Sequence, residues 1–168
     1  GMNGYKYRSV VSGTCSPSVN SDGTATLTVH NSSPAITGEP SSPAAVCTGT
    51  GTPSFTVTAT GDGLTYQWQE YIVGWLDITN GGVYSGSTTS TLTITNPTAG
   101  MNGYKYRSVV SGTCSPTVNS DGTATLTVQA SPAITGEPSS PAAVCAGTGT
   151  PSFTVTATGV GLSYQWQE

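Results

Sequence analysis

Apolar residues alternate with hydroxyl or amide residues through much of this chain, at the period of two that marks strands with one buried face. In Ser54-Phe55-Thr56-Val57-Thr58-Ala59-Thr60 the alternation puts Phe55, Val57 and Ala59 on one side. Gly61-Asp62-Gly63 turns the chain into Leu64-Thr65-Tyr66-Gln67-Trp68-Gln69, where Leu64, Tyr66 and Trp68 share a face. Trp75-Leu76-Asp77-Ile78 is predicted to return as the second arm of a hairpin, and Asn80-Gly81-Gly82 is a strong turn signal. Thr91 to Thr95 forms the next strand. Gly103 to Val110 follows, with Tyr104, Tyr106, Ser108 and Val110 to one side and Lys105 and Arg107 to the other. Ser120-Asp121-Gly122 then turns into the last strand, Ala124 to Val128. Earlier, Gly38-Glu39-Pro40-Ser41-Ser42-Pro43 cannot lie in a central strand, because proline has no ladder donor, and it is read as an edge strand kinked midway. Short strands with turn signals every eight to twelve residues or so predict an antiparallel β-sandwich. Its expected core is Phe55, Val57, Trp68, Leu92, Ile94 and Tyr106.

The same pattern is written more than once. Gly1 to His30 returns as Gly100 to Gln129 with only Ser18 changed to Thr117 and His30 to Gln129, and Ser33 to Glu70 returns as Ser131 to Glu168. The offset is 101 − 2 = 99 from Met2 to Met101, and 145 − 47 = 98 from Cys47 to Cys145, because Asn31-Ser32 is replaced by the single Ala130. The second stretch differs at Thr48 (Ala146), Asp62 (Val160) and Thr65 (Ser163). A period of this size exceeds that of solenoid repeats, about 20 to 50 residues, and matches independently folding modules in tandem. The expected division is one complete module at 33–129, the C-terminal strands of a preceding module at 1–30 and the N-terminal strands of a following one at 131–168. The chain then reads as a window on a longer protein. A second expectation is that the tail of one chain and the head of another complete a sandwich between them and so build a filament.

Charged residues make up only 7% of the chain, with four cations against eight acids. That excess of acid argues against a nucleic-acid partner, which requires cations to displace counterions from the phosphates. No run of about 20 apolar residues predicts membrane insertion. The four cysteines are two positions seen twice, Cys15 with Cys114 and Cys47 with Cys145. No metal site or cofactor is expected, since there is no Cys-x-x-Cys pair and His30, the only histidine, becomes Gln129. Disulfide formation in an oxidising compartment and buried free thiols are both open on this pattern.

Catalytic constellations are equally lacking, and the chain is not expected to be an enzyme. A Ser-His-Asp arrangement has no base other than His30, and the acids Glu39, Asp62, Glu70, Asp77 and Asp121 fall on separate turns and edges. Thr48-Gly49-Thr50-Gly51 lacks the lysine of a phosphate cradle. Lys105 lies on the outward side of its strand, so it is read as a surface cation and not as a crosslinking amine, which needs a desolvated site. Asn31-Ser32-Ser33 has the form of a glycosylation acceptor but is lost in the repeat.

Several stretches carry a resemblance. Ser90-Thr91-Leu92-Thr93-Ile94-Thr95-Asn96, followed by Gly103-x-x-Tyr106-x-Ser108, resembles the approach to the tyrosine corner of immunoglobulin-like domains, with Trp68 at the place of their core tryptophan. Phe55-Thr-Val-Thr-Ala-Thr-Gly61, Leu64-Thr-Tyr-Gln-Trp68, Val83-Tyr-Ser-Gly86 and Met101-Asn-Gly-Tyr-Lys-Tyr-Arg107 are similar to bacterial immunoglobulin-like repeats of large secreted and surface proteins of the Bacteroidota. The resemblance implies tandem immunoglobulin-like sandwiches throughout. It departs from antibody domains where Val57 and Ser108 stand in place of their bridging cysteines. Related bacterial repeats imply a pairing of Cys47 with Cys114. Ordinary immunoglobulin topology would put that pair at opposite ends of the module, so either the edge strand is shifted and the pair forms, or each cysteine staples its module to a neighbour.

The remaining signal is Glu70-Tyr71-Ile72-Val73-Gly74, where a polar hairpin tip is expected and consecutive apolar side chains cannot all face inward. It is read as a contact patch with Tyr71, Ile72, Val73, Trp75 and Tyr84 as its candidates, or as a cap over the end of the sandwich. The functional expectation is a non-catalytic structural or adhesive repeat of an extracellular surface protein or filament. Its partners would be neighbouring repeats, like subunits, or a surface ligand. The alternatives are a carbohydrate-binding module, with Tyr71, Trp75 and Tyr84 as stacking residues, and an accessory domain of a secreted enzyme.

Overall fold

The computed structural model describes all residues from Gly1 to Glu168. Its N-terminal segment holds four two-residue strands, β1 (Lys6–Tyr7), β2 (Val10–Val11), β3 (Val19–Asn20) and β4 (Ala25–Thr26). The central stretch follows with β5 (Ala35–Gly38), β6 (Val46–Cys47), β7 (Ser54–Thr56), β8 (Thr58–Thr60), β9 (Thr65–Tyr71) and β10 (Trp75–Asp77). It continues through β11 (Tyr84–Ser85), β12 (Thr91–Ile94), a single 3₁₀ turn at Ala99–Met101, β13 (Lys105–Ser111), β14 (Val118–Asn119) and β15 (Val128–Gln129). Two more strands, β16 (Ala133–Gly136) and β17 (Thr156–Thr158), lie in the C-terminal segment.

Two sheets form the sandwich, a four-stranded one in the order β10-β9-β13-β14 and a three-stranded one in the order β11-β12-β7. The longest ladder is antiparallel β9 with β13, from Thr65 opposite Ser111 to Tyr71 opposite Lys105. Alternation along these strands sends Trp68 and Tyr106 inward, where they meet Phe55 of the other sheet. The Phe55 and Tyr106 rings lie 4.6 Å apart and the Trp68 and Phe55 rings 6.5 Å apart. The Trp68 indole N–H donates to the Thr89 carbonyl at 2.9 Å, so the large apolar ring is buried with its one polar atom satisfied. Phe55, Val57, Leu92, Ile94, Val110 and Leu126 close the core around them.

The Pro-rich kink has a topological cause. Before it, β5 pairs antiparallel with β8; after it, β6 pairs in parallel with β15, so the edge segment changes sheets between Gly38 and Val46. Prolines are tolerated there because neither donor is required by a ladder. Gly38 is needed at the first pairing, since a Cβ at that position would sit 2.3 Å from Thr58 Oγ1.

The sheet switch also fixes the cysteines. Cys47 lies opposite Gln129, at the end of the sandwich where β13 begins, whereas Cys114 lies three residues past the end of β13, with its thiol against the His30 carbonyl. The seven residues of β13 between these ends correspond to roughly 23 Å at the rise of a β-strand, far beyond the reach of a disulfide. The expected Cys47–Cys114 bridge is therefore not formed, and all four thiols are free.

The flanking segments show what the central sandwich supplies. β1 pairs with β4, β2 with β3 and β16 with β17, but no second sheet covers them. Tyr7, Val11, Phe153 and Trp166 are exposed, although their counterparts Tyr106, Val110, Phe55 and Trp68 are fully buried.

Candidate functional site

The outward face of the four-stranded sheet carries the most organised surface of the molecule. Register across β10, β9 and β13 places Trp75, Tyr71 and Lys105 in one row and Asp77, Gln69 and Arg107 in the next. The second row is a hydrogen-bonded chain: Arg107 Nε donates to Gln69 Oε1 at 2.7 Å, and Gln69 Nε2 donates to Asp77 Oδ1 at 2.7 Å. The amide thus relays between a cation and a carboxylate on opposite strands. In the first row the Tyr71 and Trp75 rings meet edge to face at 5.3 Å.

Trp75 is held in place on three sides. Tyr71 meets its edge, the Arg107 guanidinium lies 4.3 Å from its ring centroid, and its six-membered ring lies against Gly122. A Cβ at Gly122 would fall 2.6 Å from Trp75, and the residue has a φ of +70°, so both space and backbone conformation call for glycine. The guanidinium over the indole is a cation–π contact. It covers the ring face that a stacking sugar would need.

Beyond this platform the hairpin tip is apolar. Ile72, Val73 and Gly74 join β9 to β10, the Ile72 N–H donates to the Gly74 carbonyl at 3.3 Å, and Val73 is 91% exposed. Tyr71 and Ile72 are each a little under half exposed, and Leu76 of the returning arm is half exposed. Residues 71 to 73 and 75 therefore come together. Gln69, Asp77 and Arg107 complete the surface, although the sequence pattern did not single them out, whereas Leu76 lies opposite Glu70 and so points to the other face of the sheet. Arg107 and Gln69 had a visible signal, the outward parity of their strands, but their cross-strand pairing depends on register.

Tyr84 does not join this patch. It lies in β11 on the other sheet, opposite Ile94, and its hydroxyl donates to the Glu70 carboxylate and lies 3.3 Å from the Tyr106 hydroxyl. Burial and the hydrogen bond to Glu70 push the Tyr84 phenol well above its ordinary value of 10.0. Tyr106 is also raised, by burial, with the Tyr84 contact acting in the opposite direction. This triad fastens the two sheets together beneath the hairpin, which is a structural assignment for Tyr84.

No group of three or more His, Cys, Asp or Glu side chains is placed to hold a metal ion. The two hollows on the surface both lie in the C-terminal segment, around Ile134, Tyr164 and Trp166 and around Phe153 and Trp166. They are lined by uncovered counterparts of core residues.

The arrangement of strands is shared with known proteins. Immunoglobulin domains 1–4 of Sidekick-1 superpose with a TM-score of 0.53 at 22% identity, over 77% of this chain and 32% of that one. The fold is immunoglobulin-like. Titin domains I67–I69, in a Glu-to-Ala variant, match with a TM-score of 0.48 at 22% identity over 66% of this chain and 37% of that chain. A structure described as the basis for Dscam isoform specificity matches at 0.49 and 20% over 77% and 32%. The chain thus spans about a third of the length of these structures. No protein-family model matches it, and neither does any curated protein.

Proposed function

We propose that this chain is part of a long extracellular array of immunoglobulin-like repeats, a non-catalytic structural and adhesive segment of a bacterial surface protein or filament. The observation that carries this reading is the near-verbatim return of two stretches, 1–30 as 100–129 and 33–70 as 131–168, at intervals of 99 and 98 residues, about the size of one sandwich. Repetition of one fold multiplies reach and contact surface, and it asks for no chemistry from any single copy. In this reading 33–129 is a complete repeat, 1–30 the last strands of the repeat before it and 131–168 the first strands of the repeat after it. The resemblance of the strand motifs to Bacteroidota repeats supports the bacterial source. The fold shared with the tandem domains of Sidekick-1 supports the serial arrangement.

Contact with a partner falls to the apolar tip Tyr71-Ile72-Val73 beside the Trp75–Arg107 platform. Exposed apolar side chains grouped at one hairpin are the feature of a protein-binding patch. Carbohydrate stacking is the weaker reading, because Arg107 already occupies a face of Trp75 and Tyr84 is turned into the sandwich. The location is tested by treating intact source cells with a broad-specificity protease and identifying the released peptides. Peptides spanning 64–107 are expected from unbroken cells. Their release only after lysis would overturn the reading.

A further inference from the structure

The two copies differ at few places, and all but one of the non-conservative differences converge on one contact, Thr48 being the exception. Leaving aside the conservative pairs Ser18/Thr117 and Thr65/Ser163, the changes are His30 to Gln129, Asn31-Ser32 to Ala130, Thr48 to Ala146 and Asp62 to Val160. Residues 30 to 32 and residue 62 are some thirty positions apart in sequence, yet they meet in space. The Asp62 carboxylate oxygen Oδ2 accepts from the Asn31 and Ser32 backbone N–H groups, each at 3.3 Å, and lies 3.6 Å from His30 Nδ1. The Asp62 main chain reinforces the contact, its N–H donating to the Ser32 carbonyl at 3.1 Å and its carbonyl accepting from Thr113 N–H at 2.8 Å. On the same pole Ser33 donates its hydroxyl to the Ser115 carbonyl at 2.8 Å.

At the corresponding second junction none of this side-chain chemistry is possible. Gln129-Ala130-Ser131-Pro132 is one residue shorter, Val160 offers no acceptor, and no hydrogen bond joins 129–131 to 159–161. The β5–β8 pairing itself is retained as β16–β17, so the change is confined to the latch.

We infer that Asp62 is a junction-specificity residue: its carboxylate selects and stiffens the longer His30-Asn31-Ser32 connection, while valine at the same place goes with the shorter Gln-Ala connection. The partner surface is thus the connecting segment of the adjoining repeat. The array then contains two kinds of joint, one tied by charge-assisted hydrogen bonds to backbone N–H groups and one without them. This rests on the tandem-repeat reading, but the coupling between 30–32 and 62 is measurable whatever the location of the protein.

The test is a double-mutant cycle in the 168-residue chain, with amide hydrogen exchange by NMR as the readout. One arm is Asp62→Val. The other converts the first junction into the second with H30Q and N31A and deletion of Ser32. The fourth variant combines them. Because Val160 stands in a closely matching segment, the valine variant has a natural precedent, and unchanged exchange protection of the Trp68 indole N–H, bonded to the Thr89 carbonyl, will report that the core is intact. Asp62→Val in the native junction is expected to speed exchange at 31–32 by about tenfold, the scale of a lost charge-assisted hydrogen bond. In the converted junction the same substitution should alter exchange at the remaining residues less than about twofold. Equal effects in both backgrounds, or no effect in either, would overturn the inference. Such a failure would leave the extracellular-array reading standing, since that reading depends on protease release from intact cells.

Discussion

At the scale of single residues, the core contains one polar atom without a partner. Ser108 is fully buried, and its hydroxyl has no hydrogen-bond partner although its backbone N–H donates to Ser120 Oγ at 2.8 Å. Burying an unsatisfied hydroxyl costs about 1–3 kcal/mol, so Ser108→Ala is expected to raise stability by up to about 1 kcal/mol. Ser120→Ala should do the reverse, lowering it by about 1–2 kcal/mol through the orphaned Ser108 N–H. Urea denaturation of the two variants checks both signs. Tyr84 and Tyr106 give a further expectation, in alkali. Their folded-state ionisation lies above that of an unfolded tyrosine near pH 10, so the neutral phenols contribute stability that is complete below pH 10. That contribution declines as pH rises beyond 10, where the unfolded chain loses protons and the folded one keeps them. The denaturation midpoint should be flat from pH 7 to about 9.5 and fall above 10, and Tyr84→Phe should reduce the slope of the fall.

Many elements were legible in the sequence from period-two alternation beside a turn signal, but the expected strand Ser54 to Thr60 is divided into β7 and β8, and the expected strand Ala124 to Val128 is reduced to an isolated bridge at Thr125 and the short β15. The ladder of β9 with β13 follows from two such strands, and the inward set Tyr66, Trp68, Tyr106, Ser108 and Val110 follows from their parity. What parity does not give is the identity of a strand's neighbours. Tyr84 reads as a surface aromatic until β11 is placed opposite β12, at which point its phenol reaches Glu70 and Tyr106. Arg107 was visibly outward, but its position over Trp75 needs β9 to lie between their strands. The hairpin tip belongs to the same scale. With its side chain almost wholly in solvent, Val73→Asp should change stability by less than about 0.5 kcal/mol. It should nevertheless weaken any association made through the tip, because a buried unpaired carboxylate is strongly disfavoured. Sedimentation across a concentration series, with the variant beside the parent chain, separates a contact patch from a cap: a cap would lose stability and show no change in association.

For the whole molecule, repetition provides an internal control that a single domain lacks. Trp68 and Trp166 sit in the same pentapeptide, Tyr-Gln-Trp-Gln-Glu, so local propensity and local pattern are the same for both. Yet Trp68 is fully buried and Trp166 is 51% exposed. The difference comes from β11, β12 and β13, which cover Trp68 and have no equivalent beside Trp166 in this chain. Burial of the core face is therefore a property of the assembled module and not of the strand, which is why the sequence pattern could mark the face but not its covering. The energetic consequence is specific. Trp68→Ala removes a filled core position and the hydrogen bond to Thr89, and is expected to cost about 3–5 kcal/mol. Trp166→Ala should cost less than about 0.5 kcal/mol in the same chain, since its ring packs only loosely beside Phe153 at 6.4 Å. Chemical denaturation followed by circular dichroism distinguishes the two. Equal costs would mean that the C-terminal segment finds a covering sheet in solution, supplied by the N-terminal segment of another copy, and the filament built from shared sandwiches would become the better description of the assembly.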